Sequence, residues 1–410
     1  MRICFIVGKF PALSETFILN QMTGLMDAGC DIRILASERA KDAVVHEDVV
    51  RHGLLYHTRY LSSIPPTWIG RFLKGLLLFP VKLVQAPRQI LCSINFFHFG
   101  REALSLELFY KTQVFLEARE DDMVVCHGGA QGILGLQMKE MGVLTGKLVT
   151  VFHVEDLADM VKAMMSEKLQ YLFARGDLFL PVSLYAKDKL IELGCPERKI
   201  VIHRMGVDVR QFDVTARRRF GASTLKILSV ARLIEKKGIA YALEALALLQ
   251  DIPFEYVIIG DGPLRSELEA KVHDLGLVRQ VRFMGAQDSG TIRRCLKDAD
   301  IFLAPSVTTG SGEKEGVPVV LMEAMASGVP VLTTASGAIR ELVQDGRTGF
   351  LVFEKDPAAL AAKLRVLRQA PEHVESAVRA ARDLIEDQFN IAQLNQELLK
   401  LLTDTAYEHL

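Results

Sequence analysis

The second half of the chain shows the clearest pattern of hydrophobic and polar positions, because short apolar runs alternate there with amphipathic segments. The β-branched run at 226–230 predicts a strand, and the segment 238–249 predicts the helix that follows it. Further strands are predicted at 255–259, 281–284, 301–305, 330–334 and 349–352, and the helices between them at 264–275, 291–297, 318–326 and 339–343. This alternation is typical of a parallel, doubly wound sheet.

The first half shows the same alternation at its two ends. Strands are predicted at 3–7, 32–35, 123–126, 148–152, 178–182 and 200–205, with helices at 14–28 and 186–193. Between residues 36 and 122, long apolar and aromatic segments predict helices without indicating their order. Between 206 and 224 the apolar pattern is interrupted by Arg217, Arg218 and Arg219. We therefore expect one α/β domain over 1–205, a second over 206–389, and a helix over 390–410 that could pack back on the first domain.

Composition narrows the class of protein. The 410 residues are 50% hydrophobic and 24% charged, as in an ordinary globular protein. The formal net charge of -1 argues against a general nucleic-acid binder, so any anion must be bound locally. The six cysteines include no close pair, and the apolar run at 3–7 is too short for a secretory signal. No apolar run approaches the length of a membrane span, so we expect a protein that does not cross a membrane. The wide spacing of the cysteines fits a reducing cytoplasm.

Ligands of an open parallel sheet bind outside the carboxyl ends of its strands, so the loops there are the candidate site. The loop after 226–230 contains Arg232 and Lys237, which suit phosphate groups, although a solvated basic loop is the alternative. The loop after 255–259 contains Gly260 and Gly262, which permit close approach of a backbone or ligand. The simpler alternative is a tight turn, with Pro263 at the first helical position.

The loop after 301–305 is polar and leads into an apolar helix through Glu315, Gly316, Val317, Pro318 and Val319. Pro318 suits the first helical position, so the amides of Gly316 and Val317 should face an anion. Glu315 lies just outside this predicted helix and Glu323 lies within it. Carboxylates repel phosphate, so the expected partners of both are neutral hydroxyl groups, such as those of a sugar.

Three other strand ends carry polar residues. His153 and Asp156 follow the strand 148–152, and His127 follows the strand 123–126. Either histidine could bind a sugar hydroxyl or a phosphate oxygen, while a satisfied surface histidine is the alternative. The loop 336–338 suggests an ordinary structural cap. Asp298 and Asp300 imitate a metal motif, but they precede the strand 301–305 at the wrong sheet edge, so we expect a structural connection and no bound metal.

These loops, taken together over residues 206–353, resemble family 4 of the retaining glycosyltransferases. The resemblance implies a GT-B fold, in which two Rossmann-like doubly wound domains face each other across a cleft. Arg232 and Lys237 would bind the donor diphosphate, Glu315 the transferred sugar and Glu323 the ribose. His153 would contact the sugar or phosphate. The remaining donor contacts would come from Gly260, Gly262, Leu264, Gly316, Val317, Pro318 and Val319, and the backbone near Met284 and Gly285 would bind the base.

The first loop, residues 9–17, lacks the paired glycines that are commonest in the family. It resembles a branch concerned with exopolysaccharide and colanic-acid-like chains, which implies a lipid-linked or oligosaccharide acceptor. Ser14 suits a helix N-cap, so the amides of that helix could face donor phosphates. Glu15 could instead meet an acceptor hydroxyl.

The resemblance implies a hexosyltransferase that uses a nucleotide diphosphate sugar, with UDP the first choice of nucleotide and GDP the second. The nucleotide sugar is a substrate, so neither a cofactor nor a metal is expected. Two alternatives stay open at this point. One is a non-catalytic protein that binds nucleotide sugars or assembly partners, and the other is a sugar epimerase on the same fold.

The segment 60–99 combines basic residues with many apolar ones and contains no acidic residue. Its basic residues are Arg71, Lys74, Lys82 and Arg88, and its aromatic residues are Trp68, Phe72, Phe79, Phe96 and Phe97. This composition suits helices on the anionic inner face of the cell membrane. Core helices with solvated basic faces explain it equally well, so a peripheral membrane position is one of two open interpretations.

Overall fold

The computed structural model describes residues 1–12, 16–40, 46–61, 64–116, 120–154, 166–212, 224–249 and 251–407. The chain forms two compact units. The first consists of Met1–Pro181, Lys189–Val201 and Asn395–Leu410, and the second of Val182–Asp188 and Ile202–Leu394. Within the described residues, no helix is both long and apolar enough to cross a membrane.

Each unit contains one six-stranded parallel sheet. In the first unit the strands are β1 Arg2–Phe10, β2 Asp31–Arg39, β3 Thr58–Tyr60, β4 Met123–His127, β5 Lys147–Phe152 and β6 Leu178–Pro181. In the second they are β7 Leu225–Val230, β8 Phe254–Ile259, β9 Val281–Gly285, β10 Ile301–Ala304, β11 Val331–Thr334 and β12 Phe350–Val352. Their spatial orders are β3-β2-β1-β4-β5-β6 and β12-β11-β10-β7-β8-β9, so both sheets have the doubly wound topology.

Helices connect these strands. Up to β7 they are Thr16–Asp27, Glu47–Arg51, Trp68–Gln85, Pro87–Ser93, Phe96–Phe99, Arg101–Leu104, Glu107–Phe115, Gly129–Glu140, Ser166–Arg175 and Leu184–Glu192. After β7 they are Ile239–Ala247, Arg265–Asp274, Ser289–Asp298, Val319–Ala326, Pro357–Gln369, Pro371–Gln388 and Ile391–Tyr407. Short 3-10 turns occur at Leu54–His57, Glu197–Lys199, Val209–Gln211, Glu235–Lys237 and Gly337–Glu341.

Two predicted elements differ in the structure. The predicted strand at 200–205 forms only an isolated bridge between Ile200 and Phe179, because pairing with β6 does not continue past that point. The predicted helix at 339–343 is the 3-10 turn Gly337–Glu341. The strands β1 and β2 are longer than predicted, since they pair in register as far as Phe10 and Arg39.

The strand order reverses next to β1 and β4 in the first sheet, and next to β7 and β10 in the second. Connections leave in opposite directions at such a switch point, which opens a crevice at the carboxyl edge of the sheet. In the second unit, the loops after β7 and β10 therefore flank the position where a ligand is expected.

A buried ion pair lies near the opposite edge of the first sheet, where Arg33 of β2 contacts Asp121 just before β4. The two side chains are 10% and 0% exposed. We predict that Asp121→Asn lowers the free energy of unfolding by about 3 kcal/mol, because the Arg33 charge stays buried without its carboxylate. Urea denaturation followed by circular dichroism measures this loss.

The matched control is Lys9→Gln, which removes the exposed ion pair of Lys9 with Glu38. It should cost less than about 1 kcal/mol, because water screens exposed charges. Equal losses in the two variants would contradict the importance of the buried pair.

Candidate active site at the second switch point

The loops after β7 and β10 are held together through their backbones. Gly238 has a φ of +64°, and a Cβ at this position would lie 1.8 Å from the carbonyl oxygen of Pro305. Only glycine allows this conformation and this approach. Nearby, the amide of Val307 donates to the carbonyl of Lys236 at 2.8 Å. This packing places Lys237 next to the loop that follows β10.

Lys237 and Glu315 form an ion pair, with 2.7 Å between Nζ and Oε2. The Lys237 side chain is 21% exposed and the Glu315 side chain 5%. The hydroxyl of Ser306 donates to the same carboxylate oxygen at 3.3 Å. Two residues with separate predicted roles, one for phosphate and one for sugar, are therefore direct partners in this structure.

The backbone of Glu315 is held by the loop after β11, which the sequence suggests is an ordinary cap. The amide of Ala338 donates to the carbonyl of Glu315 at 3.1 Å. Gly337 has a φ of +53°, and a Cβ there would lie 2.0 Å from that carbonyl oxygen. Since β11 is the neighbour of β10 in the sheet, this loop supports the site.

A pocket lies between these loops at the switch point. Its lining includes Ala231 and Lys237 from the first loop, Ser306 from the second, and Pro318 and Val320 at the start of the next helix. Lys237 and Ser306, the two side chains that contact the Glu315 carboxylate, therefore line one pocket. Arg232 belongs to the same first loop and is exposed.

The helix after this loop begins one residue later than predicted. Pro318 is the N-cap, with an extended backbone (φ −72°, ψ 123°), and Val319 is the first helical residue. The amides of the first helical turn therefore belong to Val319 and the residues after it, whereas Gly316 and Val317 precede the cap. The predicted position of Pro318 within the helix is wrong because its ψ angle is not helical.

Glu323 lies in the second turn of this helix and is partly exposed. The surrounding protein replaces most of the water around the carboxyl group, and this burial raises the pKa of Glu323 to about 7, an effect that the positive charge of Arg293 partly offsets. The group is therefore balanced between its neutral and ionised forms near neutral pH. In the neutral form it can donate a hydrogen bond as well as accept one.

The glycines after β8 contact backbone. A Cβ at Gly260 would lie 1.9 Å from the carbonyl oxygen of Ala231, and one at Gly262 would lie 2.5 Å from that of Leu233. The amide of Leu264 also donates to the carbonyl of Leu233 at 3.1 Å. These contacts pack the loop after β8 against the loop after β7.

Leu264 is the N-cap of the helix Arg265–Asp274, so Pro263 lies before the cap. The tight turn expected as the simpler alternative is present, but Pro263 lies in that turn and not at the first helical position.

A β-bulge occurs at the end of β9. Ile258 pairs with Phe283 and Ile259 pairs with Gly285, so the register passes over Met284. The carbonyl of Met284 accepts from the side chain of Gln287 at 2.7 Å. A bulge takes a residue out of the regular ladder and redirects its backbone. Met284 and Gly285 thus lie where the backbone of the strand is irregular.

Two carboxylates that the sequence analysis did not single out anchor the loop after β10. Glu354 accepts from the amide of Thr308 at 2.6 Å and from its hydroxyl at 3.1 Å. Glu235 accepts from the amide of Gly310 at 3.3 Å. The position of Glu354, two residues after the predicted strand 349–352, was the available indication. Both side chains restrict the loop that contains Glu315.

In the first unit, the two candidate histidines form a pair. His127 ends β4 and His153 follows β5, which is its parallel neighbour. Nδ1 of His127 and Nε2 of His153 are 3.3 Å apart, and the rings are stacked with an interplanar angle of 12°. Phe17 lies against His153, with 4.6 Å between the ring centroids. In a hydrogen bond between these two nitrogens, one ring donates its N–H and the other accepts. The tautomers of the two rings therefore depend on each other.

The remaining candidates of the first unit, Ser14, Glu15 and Asp156, lie outside the described residues. In the second unit, the carboxylate of Asp300 accepts from the amide of Lys226 at 2.9 Å. This contact connects a helix end to the start of β7, in line with the expected structural role.

We predict an asymmetry within the Lys237–Glu315 pair. Lys237→Met should lower the free energy of unfolding by about 3 kcal/mol, because it leaves a buried carboxylate without its cation. Glu315→Gln should cost about 1 kcal/mol, because the more exposed ammonium group of Lys237 can be hydrated. The double variant should be more stable than Lys237→Met alone. Urea denaturation of the three variants tests this order, and equal costs for the single variants would contradict it.

We predict that the stability of wild type falls relative to Glu323→Gln as the pH rises. A carboxyl group whose pKa is raised on folding stabilises the protein below its unfolded pKa, near 4.5, and loses this effect as the pH reaches its folded pKa, about 7. Between pH 5 and pH 8, the free energy of unfolding of wild type should fall by about 2 kcal/mol relative to that of Glu323→Gln. Thermal unfolding across this range measures it.

The control is Glu267→Gln, at an exposed position of the helix Arg265–Asp274. It should follow the pH profile of wild type. A Glu323→Gln profile parallel to that of wild type would show that burial does not perturb this carboxyl group.

Comparison with known sequences places this site in a family. A sequence profile described as "Glycosyl transferases group 1" matches residues 216–384. The putative colanic acid biosynthesis glycosyltransferase WcaL of Salmonella typhimurium is 36% identical over 408 residues, which cover 98% of this chain and 99% of that protein. The amylovoran biosynthesis glycosyltransferase AmsK of Erwinia amylovora is 37% identical over 412 residues, with coverage of 98% and 99%.

A solved structure is similar over almost the whole chain. The crystal structure of Anabaena HepE in complex with UDP matches with a TM-score of 0.74 and 18% identity, and covers 98% of this chain and 100% of that one. With the two doubly wound sheets, this similarity confirms the predicted GT-B fold class. The two relatives confirm the resemblance to the exopolysaccharide and colanic-acid branch. The chain therefore belongs to the group 1 family of glycosyltransferases.

Proposed function

We propose that this glycosyltransferase is a retaining enzyme of family 4 that transfers a hexose from a nucleotide diphosphate sugar to a saccharide acceptor. We propose a UDP-sugar as donor, with a GDP-sugar second, and a lipid-linked acceptor in bacterial exopolysaccharide or surface polysaccharide synthesis. The observation that carries the proposal is the buried pair of Lys237 with Glu315 beside a helix start at the sheet switch point.

This pair suits a ligand that is anionic at one end and rich in hydroxyl groups at the other. An ammonium group has three donors, so Lys237 can keep one hydrogen bond to Glu315 and direct another to a phosphate oxygen. Glu315 has several acceptor sites, so it can bind Lys237 and sugar hydroxyls together. The cation thus offsets the repulsion between the carboxylate and the donor phosphates.

In the transfer step, the anomeric carbon exchanges its bond to the donor phosphate oxygen for a bond to an acceptor hydroxyl oxygen. The nucleoside diphosphate departs with the bonding electron pair and negative charge, and its phosphate oxygen can take up the proton that the acceptor hydroxyl loses. Arg232 and Lys237 would stabilise this charge, and the first-turn amides from Val319 onward would add to their effect. We assign no protein nucleophile, cofactor or metal to this step.

The remaining proposed contacts are those to the ribose, the base and the sugar or phosphate. Glu323, four residues into a helix that begins at Val319, would bind the ribose hydroxyls, and its raised pKa lets the neutral acid donate to them. The bulged backbone at Met284 and Gly285 would bind the base. His153 would contact the sugar or phosphate, with His127 fixing its tautomer through their hydrogen bond.

The relatives support the pathway class, and a structural neighbour supports the choice of nucleotide. The names of two relatives that match over nearly their full length refer to colanic acid and amylovoran biosynthesis. A structure of the same fold is in complex with UDP. Lipid-linked saccharide acceptors lie at membrane surfaces, so we propose that the enzyme acts in the cytoplasm, at the inner face of the cell membrane.

Donor hydrolysis tests the proposed chemistry. We expect wild type to release nucleotide slowly from a UDP-sugar, and Glu315→Gln to reduce this rate about 100-fold, because a contact to the reacting sugar is lost. Glu313→Gln, two residues away in the same loop, is the matched control and should retain the wild-type rate. Nuclear magnetic resonance of the product anomer tests retention of configuration.

Thermal-shift measurements with UDP- and GDP-sugars identify the nucleotide, because a ligand that binds only the folded state raises the unfolding temperature. Stabilisation without nucleotide release in wild type would favour a non-catalytic binder. A reduced rate in Glu313→Gln equal to that of Glu315→Gln would contradict the specific role of Glu315.

A further inference from the structure

The helix Trp68–Gln85 of the first unit is apolar on two opposite sides. One side packs against a small core of Ile90, Phe109 and Tyr110 through Leu78, Phe79 and Leu83. On the same side the buried Gly75 lies where a Cβ would be 3.6 Å from the Tyr110 hydroxyl oxygen. This side accounts for the attachment of the helix to the protein.

The other side is exposed although it is also apolar. Its exposed large residues follow one another at intervals of mainly three or four positions, and they are Ile69, Phe72, Leu73, Leu76, Leu77, Val81 and Val84. This spacing puts them on one side of the helix, and we call them the apolar stripe. Leu77 is 79% exposed and Val84 is 85% exposed.

The apolar stripe is too extensive to be an incidental surface feature. An 18-residue helix is about 27 Å long, and the stripe extends along most of it. The outward side of a surface helix in a globular protein is normally polar. Continuous exposed apolar surface of this size usually marks an interaction site.

The charge around the stripe indicates its partner. Residues 60–101 contain no aspartate or glutamate, whereas Lys74, Lys82 and Arg88 lie within or just after the helix. The ammonium group of Lys74 is 5.8 Å from the centre of the Tyr110 ring, and that of Lys82 donates to Gln85. Both lysines thus remain close to the helix that carries the stripe. A segment whose only charged residues are basic suits an anionic surface.

Arg71 differs from the other basic residues of the segment. Its guanidinium group donates to the carbonyls of Pro65 at 2.8 Å and of Ser105 at 3.3 Å. It therefore connects backbone segments within the protein. The sequence pattern groups Arg71 with the possible membrane contacts, whereas the structure gives it a role in the attachment of the helix.

We infer that the apolar stripe inserts into the headgroup region of an anionic lipid bilayer, with the helix lying parallel to the membrane surface. Its apolar side chains would enter the acyl boundary and the neighbouring lysines would contact lipid phosphates. The inference identifies the membrane contact of the proposed enzyme, but it depends on none of the donor-site residues.

A second copy of this chain is a less suitable occupant. Two identical stripes packed about a two-fold axis would bring the basic residues beside the stripe of each copy closer together, without an acidic partner in residues 60–101. Like charges brought together in this way oppose association. An anionic bilayer supplies the missing negative charge.

Trp68 gives a direct measurement of insertion. It is the only tryptophan of the sequence, it begins the helix, and it is 59% exposed. Its ring stacks on Phe72 of the stripe, with 5.5 Å between the centroids. The indole N–H donates to the carbonyl of Leu104 at 3.3 Å, so the indole is held at the base of the helix. Transfer of its exposed ring to the lipid interface should shift its fluorescence to shorter wavelength.

The experiment adds vesicles of phosphatidylcholine with one quarter phosphatidylglycerol to the full chain. We expect a blue shift of Trp68 emission, quenching by lipids brominated near the acyl boundary, and weaker binding to pure phosphatidylcholine or at high salt. Leu77→Gln with Val84→Gln should reduce the partition coefficient at least tenfold. Val278→Gln with Val366→Gln, two exposed valines of the second unit, is the matched control and should bind as wild type.

Donor hydrolysis should be the same in both double variants, so a failed membrane inference and a failed enzymatic proposal give different results. Unchanged Trp68 emission on addition of anionic vesicles would overturn the inference. Light scattering tests the alternative occupant. If wild type is a dimer and binds no vesicles, and the Leu77/Val84 double variant is a monomer, the stripe contacts a second copy instead.

Discussion

The second unit depends on the contact of Gly238 with the carbonyl oxygen of Pro305, where 1.8 Å would separate any Cβ from that oxygen. This contact joins the loops that follow two neighbouring strands of the sheet and thereby sets the position of Lys237 relative to the loop after β10. Similar close contacts between a glycine and a backbone carbonyl occur between other loops: Gly260 with Ala231, Gly262 with Leu233 and Gly337 with Glu315. Backbone packing at these glycines thus holds the predicted donor loops in fixed positions, and it thereby determines where their candidate side chains lie.

The sequence predicts the strands and the loops that carry polar residues, because strands buried on both faces of a parallel sheet appear as continuous apolar runs. It does not predict which loops are neighbours. Lys237 and Glu315 are 78 positions apart and meet because β7 lies beside β10. The pairing of His127 with His153 depends in the same way on β4 lying beside β5. Strand order is a property of the folded sheet, so the partners of these residues could not be derived from their spacing.

Charge in the site is balanced locally. Lys237 neutralises Glu315, and burial leaves Glu323 near the midpoint of its titration at neutral pH. The net charge of the whole chain, -1, therefore says little about the site. A nucleotide sugar brings its own negative charge, and a site that already pairs its carboxylate with a lysine avoids an unpaired buried charge before the donor arrives. The ion pair thereby stabilises the protein without donor and prepares the groups that would bind it.

The helix Trp68–Gln85 shows why sequence alone could not choose between a core helix and a membrane helix. Both need apolar residues, and this helix carries them around most of its circumference. In the structure one side packs on Phe109 and Tyr110, so the core requirement is satisfied by half of the apolar residues. The other half has no such explanation within the described residues around it, since Leu77 and Val84 are almost fully exposed. The two interpretations are therefore not exclusive, because each applies to one side of the same helix.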